Sequence, residues 1–392
     1  MKRQSVIFLV GGIAAMIVAM GIGRFAFTPI LPLMMEHQLF SATGAGYLAS
    51  SNYMGYLIGA MILTFFQVKN RNLLLMIGLF VSVATTWGMG EFQTMQIWLV
   101  LRFLSGMASA IVFIIASSIA LERVSPVQAG IFYSGVGLGI SLTGLVVPLF
   151  ILNGDWIIVW KGLGLISIVL SIISWFLLRH RQSGMSDTST SQSKAVYGAR
   201  KSLIYLILAY GLEGLGYIVT GTYLVAFAKT VSDISNITSL SWILVGIAAA
   251  PSCVVWSLLA TKWGKKWTLT FSMLTQAIGI AIPVLIPSFT TVIIGAILFG
   301  ATLVGITTLT FSFAKDLYPQ DNRKIIGLLT SFYGLGQVIG PLIAGPLISW
   351  YGNYTVAILG AAVTVLLGAL ILPLGISKSH SNFYRNQLYD EK

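Results

Sequence analysis

The chain has 392 residues, 56% of them hydrophobic and only 9% charged, with a mean hydropathy of +0.89. Soluble domains carry roughly a quarter charged residues, so a water-soluble globular protein is excluded and a bilayer protein is indicated. The formal charge of +12 is spread among short connections rather than gathered on one face, which speaks for membrane topology and against nucleic acid.

Apolar runs of the ~20 residues needed to cross a bilayer fall at 5–35, 44–66, 73–91, 96–121, 130–152, 156–178, 202–228, 239–261, 268–287, 290–314, 325–350 and 353–376. They are long and unbroken, unlike the short alternating strands of a membrane barrel. The expected fold is therefore an all-α membrane protein of twelve transmembrane helices. The N-terminus has no small-residue cleavage site after a short apolar stretch and reads as a retained first helix.

The first run contains one charge, Arg24, within GIGRFAFTPILPLM (residues 21–34). A cation at that depth costs at least ~2.5–3.5 kcal/mol on insertion scales, so it should face protein or water. Gly21, Gly23, Pro29 and Pro32 loosen the same helix, as is tolerated where helices line a cavity. In the seventh run Glu213 is the only acidic residue in the middle of any span. Tyr210, Glu213, Tyr217 and Thr220 fall on one helical stripe, and Gly21, Arg24 and Thr28 form a comparable one.

Nineteen of the 23 Lys and Arg residues fall on one side of this topology, with Lys161 and Lys229 opposite and Arg24 and Arg102 within the membrane. Both termini are thereby expected in the cytoplasm, and the chain in a bacterial inner membrane. The longest connection, 179–201, has a Ser- and Thr-rich centre suited to a tether. It divides the chain into a six-helix bundle at 1–178, a linker at 179–201, a second six-helix bundle at 202–376 and a tail at 377–392.

The halves echo each other. Gly21-Ile22-Gly23-Arg24 returns as Gly214-Leu215-Gly216-Tyr217, 193 residues on. Gly130, Ser134, Gly137-Leu138-Gly139 and Leu145 return as Gly327, Ser331, Gly334-Leu335-Gly336 and Leu342, 197 residues on. Two matches at nearly one offset indicate a duplicated half and two pseudo-symmetric bundles.

Two six-span halves joined by a cytoplasmic loop resemble the major facilitator superfamily over nearly the whole chain. The loop signature of that superfamily is visible between spans eight and nine as SLLATKWGKK (257–266), with Thr261 in place of the acid. Between spans two and three it is reduced to QVKNRN (67–72). The arginine followed four residues later by glycine in span four is present as Arg102 and Gly106. The stretches GIGRFAFTPILPLM and YGLEGLGYIVTGTYL (210–224) are similar to the YbfB/YjiJ-type branch.

The resemblance implies that spans one and seven line a central cavity. Arg24 and Glu213 are then expected to converge and pair across it, one helical turn apart by the repeat offset. Substrate on Arg24 would release Glu213 to take a proton, the alternative being a static ion pair between the halves. Arg102 is assigned to proton coupling by the resemblance, with a packing or carbonyl contact as the competing reading. Expected substrate-binding residues are Arg24, Thr28, Asn52, Tyr56, Tyr210, Tyr217, Tyr333 and Gln337, and expected proton-coupling residues are Glu213 and Arg102. For any one uncharged member an ordinary interhelical hydrogen bond is the simpler role.

The function expected is secondary active transport of a small, anionic organic solute by alternating access, coupled to protons. Export of amphipathic or aromatic compounds is the alternative, and a non-transporting sensor a weaker one. No histidine or second carboxylate lies within a span to support catalysis, and no phosphate-binding loop marks a pump. Three scattered histidines and the one cysteine, Cys253, give no metal-ligand spacing and no intrachain disulfide. No cofactor or metal is expected; the partners are the solute, protons and lipid, with a monomer implied by the architecture.

Overall fold

The computed structural model describes residues 3–66, 70–121, 126–151, 155–179, 199–231, 237–318 and 322–375. Among these every regular element is helical. The first membrane crossing, α1, is composite: an α-helix Arg3–Met16, a π-helical segment Ile17–Ile22 and a second α-helix Phe27–Glu36. Then follow α2 (Ala42–Phe65), α3 (Arg71–Glu91), α4 (Met95–Leu121), α5 (Pro126–Ile151), α6 (Trp156–Leu178), α7 (Ala199–Val231), α8 (Ile237–Trp263), α9 (Lys265–Leu285), α10 (Phe289–Leu317), α11 (Asn322–Tyr351) and α12 (Thr355–Gly375). Eleven of the twelve crossings are long and apolar enough to span a membrane. The exception, α2, is of full length but carries Ser50, Ser51 and Asn52.

Helix starts follow local chemistry. Ser41, Asn70 and Ser288 each accept a bond from the backbone N–H three residues on, capping α2, α3 and α10. A single residue, Gly264 at φ +78°, reverses the chain between α8 and α9, a conformation that favours glycine. Just after it, Lys265 pairs with Asp316 at 2.6 Å and reaches the Ser312 carbonyl, so the eight–nine motif ties down the end of α10. The tail, most of the linker (180–198) and residues 67–69 of the two–three motif lie outside the described residues.

The packing repeats. In the first half α2 packs on α4, α1 on α5 and α6, and α3 on α4 and α6; in the second, α8 packs on α10, α7 on α11 and α12, and α9 on α10 and α12. The sequence echoes are the crossing points of these helices. A Cβ on Gly21 would stand 2.4 Å from Gly139 Cα, and one on Gly336 3.2 Å from Gly214 C, the same contact in each half. Gly106 and Gly300 match likewise: an added Cβ would meet the carbonyl oxygens of Asn52 and Val245. Small residues let backbones approach this closely where lipid offers no hydrophobic drive.

The halves meet along two seams, α2 on α11 and α5 on α8, which the same pseudo-symmetry exchanges. Thr43 Oγ1 bonds Ser349 Oγ at 2.9 Å and Ser50 Oγ the Val338 carbonyl at 2.7 Å. Trp242 Nε1 donates to Thr143 Oγ1 at 3.1 Å on the other seam.

Candidate functional site

The π-helical segment follows from residues that weaken an α-helical ladder. Gly21 and Gly23 lack side chains, and Pro29 and Pro32 have no N–H to offer the preceding turn. Gly23 N–H bonds back to Val18 O and Phe25 N–H to Met20 O, each five residues away. Thr28 N–H then goes to Phe25 O. This rearrangement deprives the carbonyls of Ala19, Gly23 and Arg24 of their normal donors.

Helix α4 supplies replacements. Ser109 Oγ donates to Ala19 O at 2.6 Å and Ser105 Oγ to Gly23 O at 2.7 Å. Arg102 donates from Nη1 to Gly23 O at 3.2 Å and from Nη2 to Arg24 O at 3.3 Å. Asn52 Nδ2 holds the Arg102 carbonyl at 2.9 Å and lies 3.5 Å from Gly23 O. Unpaired carbonyls are costly in hydrocarbon, so this set of donors is what makes the break tenable.

The break leaves Arg24 buried between the two halves, 3% exposed. Its Nη2 donates to Gln337 Oε1 at 2.6 Å and to the Tyr217 hydroxyl at 3.4 Å, and Gln337 Nε2 donates to that hydroxyl at 2.5 Å. The guanidinium carbon lies 4.3 Å from the Tyr56 ring centroid and 5.1 Å from that of Tyr53, a favourable arrangement for a cation on an aromatic face. Arg24 Nε is buried without an acceptor. Among the described residues no carboxylate pairs with Arg24.

A cavity of about 1010 Å³ starts at Arg24 and Tyr217 and runs between the halves toward the face where α2 ends and α11 begins. Its walls include Met61, Phe113, Phe311 and three tyrosines in a ladder. Tyr210 and Tyr333 stack at 4.2 Å with 9° between planes, and Tyr333 and Tyr217 at 5.5 Å with 7°. Toward the other face the halves are closed. Thr28 Oγ1 bonds Gly221 O at 2.5 Å, Tyr223 donates to Ala42 O at 2.9 Å, and Lys229 pairs with Glu36.

Arg24, Tyr56, Tyr210, Tyr217 and Tyr333 therefore line one cavity, and Gln337 stands directly behind Arg24. Thr28 and Asn52 are not on its wall: Thr28 lies in the closed seam and Asn52 braces α4. Arg102 is occupied by backbone carbonyls, the contact set beside its coupling role in the sequence reading. The expected ion pair between Arg24 and Glu213 is not formed. Glu213 is 1% exposed, with the Gln276 amide of α9 beside its carboxylate. The Tyr217 hydroxyl and the Gln337 amide oxygen occupy the guanidinium instead.

Four participants escaped the sequence reading. Ser105 and Ser109 follow Arg102 on one stripe of α4 and were legible as a polar face. Gln276 is a lone amide in an apolar helix, a signal of the same kind. Thr307 receives the Tyr210 hydroxyl at 3.2 Å, and nothing local distinguishes it from the other threonines of α10.

A family model described as the uncharacterised MFS-type transporter YbfB matches residues 16–373. The uncharacterized MFS-type transporter YceJ of Bacillus subtilis (strain 168) is 24% identical over 338 residues, covering 83% of this chain and 85% of that protein. Azole resistance protein 1 of Saccharomyces cerevisiae is 29% identical over 147 residues, 37% of this chain but only 24% of that protein's length. Among solved structures, a D-xylose-proton symporter superposes with a TM-score of 0.75 at 12% identity, covering 95% of this chain and 97% of the other.

Proposed function

The chain belongs to the major facilitator superfamily, in the YbfB-type branch, and on that premise we propose that it moves a small organic anion across the membrane by alternating access, coupled to protons. Family and fold are those of secondary transporters rather than enzymes. The observation that carries the anion is the guanidinium of Arg24, buried at the head of the cavity and held only by neutral oxygens.

In this reading the anion displaces Gln337 and Tyr217 from Arg24. The two bundles then rock about the site, opening the seam of Thr28, Tyr223 and Lys229 and closing the cavity mouth. Arg102 acts through the backbone of α1 and sets where Arg24 stands. Glu213 is the proton acceptor, a carboxylate in the second bundle close to the tyrosine ladder. The protein sits as a monomer in a bacterial inner membrane with both termini in the cytoplasm, so that the cavity faces the cytoplasm. Export of amphipathic compounds is a second reading, favoured by the apolar cavity wall and by the name of the yeast relative.

Purified protein in proteoliposomes, given organic anions under imposed pH and sodium gradients, tests this. Uptake or efflux driven by the pH gradient is expected. Anion transport that ignores that gradient and requires sodium would replace the coupling ion, and transport of neutral solutes alone would remove the anion.

A further inference from the structure

We propose that the cargo is an amphipathic monoanion: one carboxylate-like head on Arg24 and a planar apolar body along the tyrosine wall. This rests on the transporter reading above and narrows its substrate. Three observations converge on it.

The first is charge. Among the described residues Arg24 is the only charged side chain on the cavity wall. One cation balances one negative charge, and a second on the cargo would be buried unpaired.

The second is the supply of hydrogen bonds. Several hydroxyls on the wall are already committed. Tyr210 donates to Thr307, Ser331 to the Gly327 carbonyl, and Thr64 to the Ala60 carbonyl. The remainder of the wall is largely Leu, Ile, Val, Met and Phe. A polyhydroxylated solute would leave its own hydroxyls unpaired there, which is costly. The symporter with the matching fold is described as carrying D-xylose; this wall is unsuited to such a solute.

The third is shape. Tyr333 lies within 9° of parallel to each of its neighbours, Tyr210 and Tyr217, and Tyr56 covers the guanidinium. Because these rings stack on one another, and Tyr217 on Phe299 as well, a flat cargo ring packs against the ladder edge-to-face. A cavity of about 1010 Å³ is at the upper end of small-molecule sites, so a multi-ring or long apolar body fills it and a two- or three-carbon acid does not.

The test uses the full chain in lipid nanodiscs and four probes: 2-naphthoate, 2-naphthamide, lactate and D-xylose, read by titration calorimetry and thermal shift. Naphthoate should bind at least about tenfold tighter than its amide, the difference a charge-assisted contact supplies. Lactate and xylose should give no shift. Tyr333→Leu should weaken naphthoate binding, and Arg24→Gln should erase the preference for acid over amide. Should Arg24→Gln fail to fold, the acid-to-amide ratio on the unaltered chain decides the point. Binding of lactate without naphthoate would overturn the amphipathic body while leaving an anion carrier. Equal binding of acid and amide would overturn the charge and the anion reading with it. A response to xylose, or to none of the four, would overturn the proposed class.

Discussion

Arg24 and Tyr217 occupy equivalent positions in the two halves, 193 residues apart, and their side chains touch at 3.4 Å. Thr28 and Gly221 are a second such pair at the same separation. A residue near a two-fold axis meets its own equivalent, and the halves of this superfamily are related by an axis along the membrane normal. That axis therefore passes between α1 and α7 at Arg24. The two positions have diverged in backbone and side chain alike: α1 is broken at Arg24 whereas α7 runs unbroken from Ala199 to Val231, and the residues became a cation and its hydroxyl acceptor.

Tyr217→Phe removes the acceptor shared by Arg24 and Gln337. Gln337 Nε2 loses its partner in a buried place, so a loss of ~1–3 kcal/mol is expected. Denaturant or thermal unfolding in detergent measures it.

Gln337→Glu places a carboxylate where Arg24 already donates at 2.6 Å. The cavity becomes electrically neutral at its head. Binding of anionic probes should fall about thirtyfold or more, consistent with loss of ~2 kcal/mol of charge-assisted contact. Melting temperature should not fall, which separates this outcome from simple misfolding.

Arg102→Gln withdraws donors from the carbonyls of Gly23 and Arg24. A destabilisation of ~2–4 kcal/mol is expected for stranded buried groups. Ser105→Ala should act in the same direction at ~1 kcal/mol. If Arg102 serves the break in α1, probe binding and stability fall together; loss of pH-driven transport with both unchanged would point to proton handling instead.

Gly106→Ala and Gly300→Ala push a methyl group into the Asn52 and Val245 carbonyls, respectively. Overpacking of this kind costs ~1–3 kcal/mol. The two variants should lose similar stability, because they perturb the same crossing in each half. A large loss in one with none in the other would show that the two crossings are not energetically equivalent.

Glu213→Gln keeps the shape of a buried side chain whose neighbour, Gln276, is itself a neutral amide. Stability and probe binding should persist. Accumulation driven by a pH gradient should disappear while exchange of labelled for unlabelled solute continues. Unchanged gradient-driven accumulation would take the proton from Glu213.

Much of the architecture was readable from residue order. Bilayer thickness dictates apolar runs of similar length, lysine and arginine mark one side, and glycine echoes at two nearly equal offsets, 193 and 197 residues, reveal duplication. Those glycines proved to be the crossings themselves, as with Gly21 on Gly139 and Gly336 on Gly214. The loosened first helix was equally legible, since Gly21, Gly23, Pro29 and Pro32 weaken any α-helical ladder whatever its surroundings.

Partnership was not. The intramembrane charges Arg24, Arg102 and Glu213 stood out in the sequence, yet Arg24 bonds Gln337, 313 residues away, rather than Glu213. Helical periodicity states which residues share a stripe, but not how each helix is rotated against its neighbours. That rotation follows from the packing of all twelve helices. It turned Tyr217 and Tyr333 to the cavity, left Glu213 beside Gln276 and drew Arg102 onto the carbonyls of α1. Composition, span lengths and repeats were thus set by local rules of the bilayer, whereas the identity of each polar contact was decided by assembly. In hydrocarbon every donor seeks an acceptor, and only the folded geometry determines which one is within reach.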